Sequence, residues 1–159
     1  MVPDINRRIV ERLIHEYVND ARVNHGLSKL SHDPELVIIA RDHCEDMADN
    51  DFFAHETPEG NTFEDRYADA EYDCRVPAGE ARYLGGAENI AKTYAGVPLE
   101  NGEYHNSESD VATSVVNDWL ESPDHRENIL TEHWNQEGIG SFLKKEGEPL
   151  GVYVTQNFC

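Results

Sequence analysis

Positive charge is what this chain has least of. It carries 13 Lys and Arg against 32 Asp and Glu, and only four of the 13 are lysine (Lys29, Lys92, Lys144 and Lys145), for a formal charge of −19 over 159 residues. Such a surface repels phosphate backbones and anionic head groups, so neither nucleic-acid binding nor electrostatic attachment to a membrane is expected. The acids are spread through folded-looking segments rather than gathered in a tail. That distribution fits a halophilic protein kept soluble in high salt, where screening removes the self-repulsion. Long apolar runs are also missing, so no direct membrane span is expected, and Met1-Val-Pro-Asp-Ile5 does not read as a signal peptide. Cysteine is scarce. Three residues (Cys44, Cys74 and Cys159) with no CxxC pair argue against a cysteine zinc site and leave at least one thiol free. A Cys44–Cys74 bridge would close a loop of about 30 residues and contribute roughly 3–4 kcal/mol in the chain-entropy model, but spacing does not choose among the three possible pairs. No repeat, low-complexity segment or interdomain linker interrupts the chain, so residues 1–159 are expected to form one domain with a core of its own.

What is present is a succession of helix start signals. Ile5, Ile9, Leu13, Tyr17 and Ala21, flanked by Val10, Ile14 and Val18, form one wide apolar stripe, predicting an amphipathic helix from Ile5 to about His25. His15 and His25 fall on its flanks. Asp33-Pro34-Glu35 opens a second helix to about Asp49, with Leu36, Val37, Ala40, Cys44, Met47 and Ala48 inward and His43 beside that face. Asp51–Gly60 reads as a loop, anchored by Phe52 and Phe53 and closed by Pro58 and Gly60; it holds His55 near the body. Asn61-Thr-Phe-Glu64 resembles a capping box for a short helix to about Ala70, and residues 71 to 86 read as loop. Gly85 and Gly86 lack nucleotide-loop spacing and instead let the backbone turn to deliver Glu88 beside Ala87, Ile90 and Ala91, where a carboxylate needs a partner. Ser107-Glu-Ser-Asp110 caps a helix whose inner face is Val111, Val115, Val116 and Trp119.

That helix runs into Trp119-Leu-Glu-Ser-Pro-Asp-His-Arg-Glu-Asn-Ile-Leu130. Ser122 is an N-cap and Pro123 sits at the first helical position, so His125 falls in a first turn, where the helix dipole disfavours imidazolium. A neutral imidazole can bind a metal or accept a proton; the plain alternative is a half-buried polar residue near a cap. Gly138–Leu143 and Leu150–Phe158, with Gly147-Glu-Pro149 between them, read as an antiparallel pair. Helices followed by closing strands make an α+β domain. Its separated polar residues are His55, Glu88 and His125, and no local spacing shows that they meet.

These motifs together resemble the CAP superfamily of cysteine-rich secretory, antigen 5 and pathogenesis-related 1 proteins, in its short prokaryotic branch. The resemblance rests on Phe53-Ala-His55 with Pro58 and Gly60; Ala87-Glu-Asn-Ile-Ala91; Trp119-x-x-Ser-Pro-x-His125-Arg-x-Asn128-Ile-Leu130; Glu137-Gly-Ile-Gly140; Tyr153-Val-Thr-Gln-Asn-Phe158; and Asn19-x-x-Arg22 before Gly26 and Leu30. It implies a three-layer α-β-α sandwich with a central antiparallel sheet. It also implies a cleft in which His55 and His125 match the family's two histidines and Glu88 its first acid, with Ser122, Asn89 and Asn128 as neighbours. The second acid of eukaryotic members matches Ser122 here; Glu121 points about 100° away on a helix, and Ala87 replaces a glycine. Two imidazoles suit exchangeable Zn²⁺, Cu²⁺ or Ni²⁺, with Glu88 as third ligand or as the group orienting a histidine. The family further implies an extracellular or cell-surface monomeric binding domain, its ligand a lipid, a sterol-like molecule or a cell-surface component. A metal-assisted hydrolase with Glu88 as general base is the less favoured reading. A cysteine protease built on Cys44 is remote, since that thiol lies on a core face.

Overall fold

Four of the five helices begin where a short polar side chain takes an orphan backbone N–H. In a computed structural model describing residues 2–159, Asn6 caps α1 (Arg7–Asn24), and Ser31–His32 forms the short strand β1. Asp33 caps α2 (Pro34–Asp49) through a bond from Glu35 N, with Pro34 at its first position. The capping box of α3 (Phe63–Asp69) is Thr62 with Asp65, one residue later than Asn61 and Glu64 predicted. Strands β2 (Val76–Pro77) and β3 (Tyr83–Leu84) make a small ribbon inside the segment expected to be all loop. β4 (Ala87–Ala95) is followed by α4 (Glu108–Glu121), whose Ser107–Asp110 capping box is as expected. Ser122 opens α5 (Pro123–Ile129) by conformation and by the proline after it; its hydroxyl makes no capping bond. β5 (Gln136–Lys145) and β6 (Leu150–Phe158) complete the chain.

The main sheet has the order β1-β5-β6-β4, antiparallel except for the two-residue parallel contact of β1 with β5. β6 is central and buried along its whole length, and its register sets Gln156 between Asn89 on β4 and Ile139 on β5. On one face Cys44, Met47 and Ala48 of α2 pack against Ile90 and Tyr153. On the other, residues of α1, α4 and α5 (Val10, Ile14, Val18, Val111, Val115, Trp119 and Ile129) close over Val152, Val154 and Ile139. The result is the expected α+β sandwich. Gly138 and Gly140 let α2 press directly on the sheet: a Cβ at either would collide with backbone atoms, of Leu36 and Val37 at the first and of Ala40 and Arg41 at the second. A strand at 87–95 was not predicted from the sequence. Its alternation is masked by Glu88, Asn89 and Thr93, all buried and all given polar neighbours only by the tertiary fold.

Asn19 and Arg22, the polar pair on α1, are buried because they satisfy backbone: Asn19 exchanges bonds with the Leu30 N–H and carbonyl, and Arg22 donates to Ser28 O, Ile129 O and Thr131 O. The disulfide is Cys74–Cys159, with Cα atoms 5.7 Å apart. Cys44 is the free thiol, buried under the sheet with Sγ toward Thr155 Oγ1 at 3.1 Å. Burial pushes its pKa well above the ordinary thiol range, which removes the nucleophile that a Cys44 protease would need. Phe53 is half exposed, against the expectation that it anchors the loop, whereas Phe52 packs on the α2 face. No helix among the described residues is long and apolar enough to cross a membrane.

Candidate functional site

Glu88 is the buried centre of the site. Gly86, at a φ of 107°, turns the chain just ahead of β4; a side chain there would strike the Tyr67 ring and Phe158 O. Glu88 follows as the second residue of the strand, 5% exposed. A carboxylate so placed must be paired or protonated, and three groups pair it. His55 Nδ1 lies 3.0 Å from Oε1, while Arg66 Nη2 donates to Oε2 at 2.6 Å and Asn157 Nδ2 donates to the same oxygen at 2.9 Å. Burial favours the neutral acid, but the bond from His55 and the charge of Arg66 outweigh it, holding the Glu88 pKa below its usual value.

Because a carboxylate only accepts, Nδ1 of His55 carries a proton, and in the neutral imidazole Nε2 is then the nitrogen with the lone pair. Arg66 also donates to the His55 carbonyl through Nη1 at 3.1 Å, so one guanidinium holds both the acid and the loop that bears the histidine. His43, which the sequence left without a partner, is buried within this shell. Its Nε2–H donates to Ala54 O at 2.9 Å, fixing the residue before His55, and the same nitrogen is 3.8 Å from Glu88 Oε1. Desolvation lowers its pKa, with Glu88 opposing, and its buried Nδ1 has no hydrogen-bond partner among the described residues.

His125 reaches the site from α5, which β4 holds by its polar side chains. Asn89 Nδ2 donates to His125 O at 3.1 Å, and Asn128 Nδ2 donates to Asn89 Oδ1 at 2.9 Å and to Glu88 O at 3.3 Å. Desolvation lowers the His125 pKa, and the charge of nearby His55 lowers it further against the pull of Asp124. The fold thus brings His55 and Glu88 into direct contact, sets His125 within electrostatic reach, and makes Asn89 and Asn128 the brace between them. Sequence reasoning missed Arg66 and His43. His43 carried a signal, since it falls with Leu36, Ala40 and Met47 on the inner helix stripe; Arg66 carried none, because its partner lies across the fold.

His15 also departs from expectation. Instead of a solvated flank it occupies a second polar cluster, with Nδ1 2.8 Å from Oε1 of fully buried Glu137, whose other oxygen accepts from Gln156 Nε2 at 2.6 Å.

A three-layer α+β sandwich with a histidine–carboxylate pair at its edge strand is the class these features define. The sequence model of the CAP, or cysteine-rich secretory protein, family matches residues 15–158, and the chain belongs to that family. It is similar to the uncharacterized membrane protein YlbC of Bacillus subtilis, 29% identical over 148 residues that cover 93% of this chain and 34% of the relative. It is also similar to protein YkwD of the same organism, 29% identical over 131 residues, 82% of this chain and 41% of that one, so the chain spans well under half the length of these relatives. Among solved structures, an extracellular SCP-domain protein of Bacillus anthracis superposes with a TM-score of 0.69 at 26% identity, over 96% of this chain and 40% of the other. An outer surface protein of Borrelia burgdorferi shares the fold at a TM-score of 0.64 and 20% identity, over 94% and 91% of the two chains.

Proposed function

We propose that this is a CAP domain working outside the cell or at its surface, whose cleft binds a divalent transition metal reversibly through His55 and His125. The observation that carries the reading is the Glu88–His55 contact. A buried carboxylate taking the Nδ1 proton of an imidazole is the arrangement that orients a metal-ligating histidine and raises its basicity. The lowered pKa of His125 keeps the second imidazole in its ligating form near neutral pH. The donor set limits the affinity. Among the described residues no group of three or more His, Cys, Asp or Glu is arranged to hold a metal ion, and both oxygens of Glu88 are already bonded, so Glu88 orients and is not a third ligand. Two imidazoles and solvent suit an exchangeable Zn²⁺.

The same saturation argues against the hydrolase alternative. A base whose oxygens are held by Arg66, Asn157 and His55, and whose pKa lies below the usual carboxylate value, is poorly placed to take a proton from water. The reading of a lipid or sterol-like ligand has less support at this cleft, since recesses of about 280–490 Å³ on the surface are lined by other residues. Zinc titration by calorimetry near pH 7.5 is the test. His55→Ala or His125→Ala should abolish binding and Glu88→Gln should weaken it by roughly 10–100-fold; equal affinities in wild type and His55→Ala would remove the proposal. Hydrolysis of a peptide or ester panel, lost in Glu88→Gln, would instead favour the enzyme.

A further inference from the structure

The charge that is scarce elsewhere collects in one recess. Between α1 and α2, where β1 pairs with only the first two residues of β5, a recess of about 490 Å³ is rimmed by Arg8, Arg12 and Arg41. One third of the nine arginines of a chain with net charge −19 therefore face a single opening. Arg8 and Arg12 are one turn apart on α1 and exposed, and His15 continues the same row one turn further on. Glu11, the one carboxylate in the lining, is buried and already taken: Arg41 donates to it through Nε and Nη2 at 2.9–3.2 Å, and Ser141 donates at 3.3 Å. Glu137 is likewise engaged by His15 behind the wall. Arg12 reaches only Glu16, at 4.0 Å and with both side chains more than half exposed, and Arg8 forms no ion pair among the described residues. Val37 and Ile139, both nearly buried, supply an apolar floor, and His32 stands at the rim.

We propose that this recess is a binding site for a small organic carboxylate, its apolar body on Val37 and Ile139 and its anionic head between Arg8 and Arg12. The volume is that of a small-molecule pocket. Guanidinium groups match a carboxylate bidentately, and the ion pair within the lining leaves Arg8 unengaged among the described residues and Arg12 with only its long, exposed contact to Glu16. The site is separate from the His55–His125 cleft and does not depend on its metal.

Benzoate is the probe, titrated in about 0.1 M salt and followed by two-dimensional amide NMR. Saturable shifts at Arg12, Val37 and Ile139 are expected. They should weaken by about tenfold or more in Arg8→Ala/Arg12→Ala, a double variant of exposed residues whose unchanged melting temperature shows that it folds. Neutral benzamide should not bind, and inorganic phosphate should bind more weakly than benzoate because the floor offers it nothing. His55→Ala/His125→Ala should bind benzoate as wild type does. No saturable shift in the recess, equal binding by the arginine variant, or binding of benzamide as tight as benzoate overturns the proposal. So does phosphate matching benzoate, or loss of benzoate binding in the histidine variant.

Discussion

Replacing Arg66 by methionine tests the account of the site at its most exposed assumption, that a guanidinium keeps Glu88 charged. The substitution keeps an apolar stem of similar length and removes the 2.6 Å bond to Glu88 Oε2 and the 3.1 Å bond to His55 O. Breaking a buried ion pair costs about 3–5 kcal/mol. Glu88 retains His55 and Asn157, which places the loss near the lower end, about 3 kcal/mol at pH 7 and a fall of roughly 6–12 °C in melting temperature for a domain of this size. The pH dependence carries the sign. In wild type the Glu88 pKa is depressed in the fold, so its stabilisation is full above the unfolded carboxyl value of roughly 4.3 and is lost as pH falls through the folded one. Without Arg66 that contribution is gone, and the gap between the two proteins should narrow only as pH drops below about 4.3. Urea unfolding followed by the fluorescence of buried Trp119 and Trp134, between pH 7 and about pH 3, measures both. A difference under about 1 kcal/mol at pH 7, or one that persists unchanged down to about pH 3, refutes the idea that Arg66 holds a buried carboxylate charge.

Four further outcomes follow from the fold and the charge. Reducing Cys74–Cys159, which are 85 residues apart, should cost about 4–5 kcal/mol in the chain-entropy model, seen as a lower urea midpoint with a reductant present. Under native conditions Cys44 should resist alkylation by iodoacetamide until the domain unfolds, because its thiol is buried and its pKa raised. Gly138→Ala should destabilise by about 3 kcal/mol, since the added carbon meets the α2 backbone, which cannot rotate away; circular-dichroism melting reads the loss. Stability should rise with salt toward molar concentrations as the repulsion within a chain of net charge −19 is screened, and flat or falling unfolding midpoints would remove the halophile reading.

Much of this protein was determined by the sequence alone because it depends on neighbours a few residues away. Asp33-Pro34, Ser107 with Asp110, and Pro123 mark helix starts by bonds and backbone limits that act within one turn. The stripe through Val10, Ile14 and Val18 and the β-rich ending at Leu150–Phe158 likewise state which face is buried. His55, Glu88 and His125 were singled out as candidates by motifs spread along the chain. Tertiary structure alone decided what those residues touch. Arg66 meets Glu88 across 22 residues and His15 meets Glu137 across 122, and spacing on one element says nothing about such pairs. β4 was hidden for the same reason, because burying Glu88 and Asn89 becomes tolerable only when Arg66, Asn157 and Gln156 arrive from elsewhere. Cysteine pairing and the arginine-lined recess belong to that class too: both depend on which parts of the chain the packed core brings together, and the energy of a buried charge depends on partners that no local pattern names.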